Sequence, residues 1–595
     1  MRVLSPIWTL WSSTLLLSPT AALQRPLRTR ELDAAFDWTA IVPTHDLQYH
    51  PCYDTFQCAR LQVPLDWTKH SNTTTNNNTA HAAIAIVTLP ATVPPTDPAY
   101  AGPILINPGG PGGSGTEMAL GIAAIIQSLV DVPGVRHYDI LGFDPRGVAL
   151  TTPSASCYAS QFDRAADGMR ADGMPSVLEG LGLKMKFEMA RGVAGLCAQA
   201  TAAAGAAGEA SVFRYMSTAS VARDMLEIVE RVHALHKGNG TVGGKACGGG
   251  GKPKLQYLGF SYGSLLGNTF ASMFPDRIGR IVVDGIVDGA DYVAGTWQKN
   301  IDDGEAAIDI FYRTCFDAGS ACVLRQSTDT SFSDIRVRVD ALLRSLRTSP
   351  VSAIHNNRAP MITSYLVSET IRTALYTPIA TYESLSRKLA GALAGNFTLM
   401  LSDDTVVRFS HPTDVCTEEK PNTSPPKSYN FADEASTGII CSDSQASAGT
   451  RDLAWAASTV GRVTNQSSTI GEAWSKVPLA CAEWPFTPPY AFKGPFGSPA
   501  PKNGSDAAPL LILSTRTDHA TPLANAFALS RLHGGSAVVV QESVGHCALM
   551  ASVSLCTYGI VREYFHTGKV PANGTVCEAE CAPAIPYKAC PGLPA

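Results

Sequence analysis

Short apolar runs alternate with stretches of helical periodicity in two parts of the chain. Such alternation predicts parallel β-α-β units, in which each buried strand is followed by a helix that crosses back over the sheet. Strands are predicted within residues 58–67, 81–91, 102–115, 137–147, 254–260, 277–289, 508–522 and 536–549. The fold class is therefore α/β, with a mostly parallel central sheet flanked by helices.

The alternation stops between about residues 291 and 500. Amphipathic helical patterns, such as 305–319 and 333–346, lie there among Pro-rich loops. This change predicts a largely helical cap or lid domain inserted into the α/β fold. The predicted organisation is a leader at 1–22, the first part of the core at 23–290, the cap at 291–500, and the second part of the core with a Cys-rich C-terminal segment at 501–595.

The first 22 residues have the pattern of a secretory signal. Arg2 precedes an apolar stretch at 3–17, and the small residues Thr20-Ala21-Ala22 follow it. Polar residues interrupt the stretch and leave it too short to span a bilayer comfortably, so we expect cleavage near Ala22 rather than a membrane anchor.

Cysteines and glycosylation sequons agree with an extracellular location. The chain has 15 cysteines without paired C-x-x-C clusters, which favours structural disulfides over zinc sites. The odd number leaves at least one thiol unpaired, and we expect Cys547 to be a buried disulfide partner rather than a reactive thiol. N-glycosylation sequons begin at Asn72, Asn77, Asn239, Asn396, Asn422, Asn465, Asn503 and Asn573. We predict a secreted, disulfide-bonded glycoprotein.

Composition and charge exclude several classes of protein. A hydrophobic content of 45% with 16% charged residues is typical of a globular protein. The formal net charge of -5 and the lack of long Lys/Arg runs give no electrostatic footprint for nucleic acid. No later stretch approaches the length of a membrane span. We expect no nucleic-acid partner and no stable membrane insertion, and the oligomeric state is left open.

Residues 257–264, YLGFSYGS, place a serine between two glycines where an apolar strand gives way to a helix. Gly259-Phe260-Ser261-Tyr262-Gly263 matches G-x-S-x-G, the pattern of a nucleophile elbow, whose tight turn exposes the serine hydroxyl. The same pattern also occurs by chance in ordinary glycine turns. Its interpretation therefore depends on whether partner residues for the serine exist elsewhere.

Those partners occur in the order that an α/β-hydrolase requires. A serine nucleophile needs a base and a third group that orients the base, and in this fold an acid and then a histidine follow, each after a strand. Asp518 follows the apolar run LLILS, and His546 follows AVVVQ. We predict a triad of Ser261, Asp518 and His546. His519 precedes the last core helix and His533 ends it, so both are weaker candidates, and Asp518 has the alternative role of capping that helix.

The glycine-rich loop NPGGPGGSG at 107–115 predicts an oxyanion hole. We expect one backbone N–H from Gly110 and a second from Tyr262, the residue after the nucleophile. A P-loop is excluded because no Lys-Ser/Thr follows the glycines. A dinucleotide-binding loop, with Asp144 as the ribose-binding acid, is kept as an alternative. The hydrolase chemistry requires no metal and no organic cofactor.

Several motifs together resemble a known family. They are NPGGPGGSG, DILGFDPRGV, GFSYGS, FPDRIGRIVVDGIVDG, TRTDHATP and GHC, with the cap features IICSDSQ (439–445) and CAEWPF (481–486). This set resembles the secreted tripeptidyl aminopeptidase branch of the proline iminopeptidase group of α/β-hydrolases, over most of the mature chain. The resemblance implies the same triad, and it aligns 108–112 with the family's His-Gly-Gly-Pro-Gly motif. Pro108 replaces the histidine, which leaves the backbone donor in place.

An aminopeptidase must bind a free α-ammonium, which calls for carboxylates that face the nucleophile from the cap. Asp443 and Glu483 are favoured because they lie in the Cys-containing cap features, and Asp302, Asp303 and Glu305 are further candidates. The predicted function is a secreted serine hydrolase that releases short N-terminal peptides. The alternative is a carboxylesterase or small-molecule ester or lactone hydrolase with the same triad. A binding protein with an inactive hydrolase fold is disfavoured by the intact triad.

Overall fold

The computed structural model describes residues 36–69, 80–238, 252–356, 359–402, 429, 431–445, 450–502 and 507–590. The predicted signal at 1–22 lies outside these residues. Cys247, Cys416 and five sequon asparagines also lie outside them, namely Asn72, Asn77, Asn239, Asn422 and Asn503. The other three sequon asparagines, Asn396, Asn465 and Asn573, are exposed to solvent.

The described residues contain twelve β-strands. Ten form one sheet, and β8 and β9 form a separate antiparallel pair. The strands are β1 (His50–Cys52), β2 (Phe56–Pro64), β3 (His81–Leu89), β4 (Tyr100–Asn107), β5 (His137–Phe143), β6 (Leu255–Phe260), β7 (Ile278–Asp284), β8 (Val351–Ser352), β9 (Met361–Ile362), β10 (Leu511–Thr517), β11 (Ala537–Val544) and β12 (Thr575–Glu578). All eight predicted strands are confirmed; β1 and β12 are too short to give a clear pattern.

The large sheet has the order β1-β2-β3-β5-β4-β6-β7-β10-β11-β12. Pairing is antiparallel from β1 to β5 and parallel from β5 to β12. This topology confirms the predicted α/β class with a mostly parallel sheet. The parallel part brings the carboxyl ends of β4, β6, β7, β10 and β11 to one edge, where a functional site in this kind of fold is expected.

Both faces of the central sheet are buried. Ile104, Leu258 and Val282 pack in the core on one face, while their chain neighbours Leu105 and Tyr257 pack in the core on the other. Successive side chains of a strand point to opposite faces, so a sheet that is covered on both sides needs continuous apolar runs. These continuous apolar runs are why the core strands could be predicted from the sequence.

Eighteen α-helices lie in the described residues. They are α1 (Gly115–Val130), α2 (Gln161–Asp172), α3 (Gly180–Ala206), α4 (Thr218–Gly238), α5 (Tyr262–Met273), α6 (Gly289–Ala294), α7 (Gly304–Asp317), α8 (Phe332–Thr348), α9 (Ser364–Ala374), α10 (Pro378–Leu393), α11 (Thr398–Leu401), α12 (Ala432–Asp443), α13 (Leu453–Gln466), α14 (Gly471–Trp474), α15 (Lys476–Leu479), α16 (Leu523–Leu532), α17 (Ala548–Ala551) and α18 (Leu555–Thr567). None of these helices is both long and apolar enough to cross a bilayer.

Ten of the helices, α6 to α15, lie between β7 and β10, where the sequence predicts the inserted domain. We refer to the described residues of 291–500 as the cap. Helix α6 begins at Gly289 and so crosses the predicted boundary between residues 290 and 291. The domain boundaries stay a prediction.

Six disulfides are formed among the described cysteines. They join Cys52–Cys58, Cys157–Cys197, Cys315–Cys322, Cys441–Cys481, Cys556–Cys577 and Cys581–Cys590. Cys547 is buried and free, so the prediction that it is a disulfide partner is wrong. Its sulfur lies 3.4 Å from the carbonyl oxygen of Asp284, at the end of β7.

Candidate active site

Ser261 occupies the turn between β6 and α5 in a strained backbone conformation. Its φ is 55° and its ψ is -123°, a combination that a residue with a side chain rarely adopts. The N–H of Ser261 donates to the carbonyl oxygen of Asp284 at the end of β7 (2.9 Å), which holds the turn against the neighbouring strand. The serine is half-buried at the sheet edge. The strain of the elbow therefore lies on the serine itself.

The two glycines of G-x-S-x-G serve close packing rather than unusual torsions. A Cβ on Gly259 would lie 2.5 Å from the carbonyl oxygen of Gly263, and a Cβ on Gly263 would lie 2.9 Å from the carbonyl oxygen of Asn107. Neither glycine has a positive φ. The pattern thus reflects the tight contact between α5, its own strand and β4, since a side chain at either position would collide with backbone.

The glycine-rich loop after β4 lies directly against the elbow. A Cβ on Gly109 would lie 2.8 Å from the Cβ of Ser261 and 3.0 Å from the amide nitrogen of Tyr262. The N–H of Gly109 donates to the side-chain oxygen of Asn107 (3.0 Å). The next amide, of exposed Gly110, has no acceptor among the residues that the structure describes, and the amide of Tyr262 opens α5. Within the described parts of the chain, two N–H groups therefore lack an acceptor: that of Tyr262, next to the serine, and that of Gly110, next to the Gly109 that contacts it.

Asp518 and His546 are in contact. Nδ1 of His546 lies 3.1 and 3.0 Å from the two carboxylate oxygens of Asp518. The carboxylate is fully buried and also accepts from the amides of Ala520 and Thr521 (both 2.9 Å). Burial raises the pKa of Asp518, but His546 and the hydrogen bonds outweigh it and bring the pKa down to about 2. Asp518 is thus an anion that both shapes its turn and orients the imidazole.

The other ring nitrogen of His546 faces away from Asp518. This Nε2 is buried and has no hydrogen-bond partner within the described parts of the chain. The imidazole lies close to the elbow, because a Cβ on Gly285, next to the Asp284 that holds Ser261, would be 3.5 Å from Cε1 of His546. A buried nitrogen with no partner beside a serine turn is available to accept a proton.

Thr521 also contacts the acid–histidine pair, and sequence reasoning missed it. Its hydroxyl donates to a carboxylate oxygen of Asp518 (2.7 Å) and lies 3.1 Å from Nδ1 of His546. A threonine three residues after an acid in a turn has no distinctive pattern, which is why the sequence did not point to it.

We expect Thr521→Val to lower kcat about tenfold, because it removes one donor to the carboxylate that orients His546 while it keeps the side-chain volume. Steady-state kinetics on the substrate that the wild-type protein cleaves measure this effect. Thr521→Ser, which retains the hydroxyl, is the matched control and should keep most of the activity. Equal kcat values for the valine and serine variants would contradict the expectation.

Asp284 is a second buried carboxylate near the histidine, and it too was missed. It accepts from the amides of Ala548 (2.6 Å) and Leu549 (2.8 Å), at the start of α17. Burial raises its pKa to about 6 although the two amides lower it. Since its oxygens bind the loop after His546 and not the imidazole, Asp284 holds that loop, while Asp518 contacts Nδ1.

The rival histidines have other surroundings. His533 is bonded at both nitrogens, 2.7 Å from the hydroxyl of Ser498 and 2.9 Å from the side-chain oxygen of Asn268. His519 is fully buried and its ring packs against Tyr376 at 4.6 Å, and burial lowers its pKa to about 3. Of the three histidines, His546 is the one bonded to Asp518.

Asp144 anchors the glycine-rich loop. Its carboxylate accepts from the hydroxyls of Ser114 (2.7 Å) and Thr116 (2.9 Å) and from the amides of Thr116 and Leu150. Because the protein's own donors occupy this buried acid, it is not presented to a ribose. The dinucleotide alternative loses the residue on which it depended.

The cap carboxylates are also used by the protein. Asp443, at the end of α12, is 3% exposed and accepts from the amide and hydroxyl of Thr218 (2.8 and 2.5 Å) and from the hydroxyl of Tyr292 (3.1 Å). The Thr218 hydroxyl also contacts that of Tyr262, 2.5 Å away. Glu483 is exposed and lies 4.0 Å from Arg191. These contacts do not support an ammonium site at Asp443 or Glu483.

The carboxylates of the three remaining candidates also contact groups of the protein itself. Asp302 accepts from Gln466, Asp303 accepts from the amide of Asp518 (3.4 Å), and Glu305 pairs with Arg336.

The buried Asp443 should make stability depend on pH. Burial raises its pKa to about 6, although Thr218 and Tyr292 oppose the change. The folded state then binds the proton more tightly than the unfolded state, so the contribution of this group to stability falls as the pH rises from about 4 to about 6.

We therefore expect the stability advantage of the wild-type protein over Asp443→Asn to shrink by about 2 kcal/mol between pH 4 and pH 7. Thermal or urea unfolding of both proteins at the two pH values measures this difference, in which the other titrating groups cancel. An advantage that grows with pH would show instead that the hydrogen bonds stabilise the anion more than burial destabilises it.

Cys547 is not a competing nucleophile. Burial raises the pKa of its thiol well above the usual range, and the negative charges of Asp284 and Asp518 add to this effect. A thiol that stays protonated reacts slowly, since the thiolate is the nucleophilic form.

Comparison with known families agrees with this geometry. A family model described as alpha/beta hydrolase fold matches residues 102–304, and one described as TAP-like protein matches residues 467–577. The first match contains Ser261, and the second contains Asp518 and His546. The protein is a serine hydrolase with the α/β-hydrolase fold.

Its curated relatives are similar over most of the chain. The sequence is 25% identical to a tripeptidyl aminopeptidase of Streptomyces lividans over 93% of this chain and 87% of that protein. It is 26% identical to the serine protease Hip1 of Mycobacterium tuberculosis over 87% of each chain. A shorter match, 33% identical over 29% of this chain and 28% of the relative, is to carboxylesterase B of M. tuberculosis. The resemblance to tripeptidyl aminopeptidases is thereby confirmed.

Proposed function

We propose that the protein is a secreted aminopeptidase that releases short peptides from free N-termini through Ser261, His546 and Asp518. The observation that carries the proposal is the buried contact of Nδ1 of His546 with both oxygens of Asp518. It leaves Nε2 without a partner among the described residues. The imidazole lies beside the strained serine turn, since its Cε1 would be 3.5 Å from a Cβ on Gly285, next to the Asp284 that holds Ser261. A base held in this way is what a serine nucleophile needs.

In the proposed reaction, Nε2 of His546 takes the proton of the Ser261 hydroxyl as its oxygen attacks the scissile carbonyl. The amides of Gly110 and Tyr262 stabilise the resulting oxyanion. His546 then returns the proton to the leaving amine, and the N-terminal fragment stays bound to Ser261 as an ester. Water activated by His546 hydrolyses this acyl-enzyme and restores the serine.

Peptide cleavage is supported by the tripeptidyl aminopeptidase and serine protease relatives, which align over most of the chain. Secretion is supported by the signal-like pattern at 1–22, by the six disulfides and by the exposed sequon asparagines. Disulfides persist in oxidising compartments.

A matched pair of chromogenic tripeptide anilides, one with a free N-terminus and one N-acetylated, tests the proposal. The purified protein and Ser261→Ala are assayed side by side. Cleavage of only the free peptide, abolished in the variant, is the expected result. Equal cleavage of both peptides would contradict the requirement for a free N-terminus.

The second candidate function is ester hydrolysis with the same residues. It is favoured by the match to carboxylesterase B, the relative with the highest identity of the three over its shorter aligned length. Ser261-dependent cleavage of a p-nitrophenyl ester, with no cleavage of either peptide, would replace the aminopeptidase proposal with this one.

A further inference from the structure

Residues 375–377 of the cap, which connect α9 to α10, contact the loop that carries His546. We call these residues the 375–377 corner. The carbonyl oxygen of Tyr376 accepts from the backbone N–H of His546 (3.0 Å). The ring of Tyr376 packs on the imidazole with ring centres 5.0 Å apart and planes 80° apart. A single cap residue therefore contacts both the backbone and the side chain of the histidine.

The packing at this corner is tight. A Cβ on Gly545, the residue before His546, would lie 2.7 Å from Cδ of Pro378 and 3.2 Å from the carbonyl oxygen of Tyr376. Because the two segments approach so closely, the corner cannot shift toward the core without moving the histidine loop.

Tyr376 is itself held in place by charged residues of the cap. Nη1 of Arg372 donates to the hydroxyl of Tyr376 (2.9 Å). Arg372 binds both carboxylate oxygens of Glu369 (2.7 Å each), and Lys476 donates to the same carboxylate (2.8 Å). Bidentate Arg–carboxylate pairs fix geometry well, so the tyrosine ring has a rigid support.

We propose that Tyr376 is a positioning residue that sets the orientation of the His546 imidazole from the cap. Asp518 constrains Nδ1, but with two acceptor oxygens it permits the ring to tilt. Packing against the Tyr376 ring limits the tilt, and the backbone hydrogen bond fixes where the side chain begins. The inference rests on the proposed role of His546 as the base.

The 375–377 corner is part of the support of the base, and it is not a lid edge that moves independently of the catalytic centre. Displacement of this corner would remove a ring contact and a backbone acceptor from His546 together.

Tyr376→Leu tests the inference. We expect kcat to fall about 10- to 100-fold with KM within about twofold of wild type, because misorientation of the base affects the chemical step and leaves binding intact. Tyr376→Phe keeps the ring contact with the imidazole but loses the hydrogen bond from Arg372, so its kcat should lie between those of the wild type and Tyr376→Leu. If Tyr376→Leu does not fold, Tyr376→Met, with a flexible apolar side chain of similar size, takes its place.

The matched control is Tyr365→Leu, a half-buried tyrosine of the preceding helix α9 whose ring packs under Lys186 and not against the histidine. Melting temperatures of all variants are measured in parallel. Wild-type kcat in Tyr376→Leu would overturn the inference, and so would an equal loss of kcat in Tyr365→Leu at a similar melting temperature.

His546→Ala in the same assay separates this inference from the proposed function. An active His546→Ala protein overturns both. An inactive His546→Ala protein together with a fully active Tyr376→Leu protein overturns only the positioning role. The substrate is the free tripeptide anilide or, if that is not cleaved, the p-nitrophenyl ester, because the orientation of the base matters in either reaction.

Discussion

Ser261→Ala is expected to lower kcat by about 10⁶-fold while the fold stays intact, because the proposed nucleophile is lost and only substrate binding and the proposed oxyanion donors remain. Active-site titration with a fluorophosphonate should also give no labelled protein. Labelling that survives in the variant would mean that another serine is the nucleophile.

Ser261→Gly should abolish activity equally but raise stability. A φ of 55° with a ψ of -123° is costly for serine and alanine and accessible to glycine. Relief of this strain should raise the free energy of unfolding by about 1 kcal/mol or more, even after the entropy that glycine adds to the unfolded chain is subtracted. Unfolding of the wild type, the alanine and the glycine variants in urea measures it. If the glycine variant is no more stable than the alanine variant, the backbone conformation at position 261 is not strained for a residue with a side chain.

Asp518→Asn should lower kcat by about 10⁴-fold, because an amide in place of the carboxylate favours the wrong tautomer of His546 and cannot stabilise the imidazolium. The matched control is Asp284→Asn, a second buried acid near the same loop whose oxygens bind the amides of Ala548 and Leu549. The control should lose stability but keep kcat within about tenfold of wild type. If the two variants lose activity equally, Asp284 shares the role of orienting acid.

The pKa of Asp518 sets the pH range in which its carboxylate is charged. With a folded pKa of about 2 against an ordinary value near 4, its charge stabilises the folded protein fully above about pH 4. That contribution is lost as the pH falls through about 2. Asp518 therefore stays ionised across neutral pH, where the comparison of variants should be made.

The cap contributes to the site at more than one point. Ser436 and Ala432 of α12 pack against Gly112 of the glycine-rich loop, where a Cβ would lie 3.2 Å from the amide nitrogen of Ser436. At the other end of the same helix, Asp443 reaches Tyr262 through the hydroxyl of Thr218. With Tyr376 on His546, cap residues contact the glycine-rich loop and the histidine directly, and they reach Tyr262, next to Ser261, through Thr218.

The sequence by itself determined the core strands and the order of Ser261, Asp518 and His546. Strands buried on both faces need continuous apolar runs, and parallel pairing sends their carboxyl ends to one edge. Residues that directly follow such runs could therefore be assigned to one site from local pattern, and the structure does bring Asp518 and His546 into contact.

Only the tertiary structure decided which other groups surround these residues. Thr521, Asp284 and Tyr376 became visible through contacts made by folding, and Tyr376 lies 170 residues before His546 in the chain. Asp443 was predicted to bind an amine and proved to be enclosed by the protein's own donors. Burial and hydrogen-bond partners depend on how distant segments pack, and local hydrophobic pattern does not encode that packing.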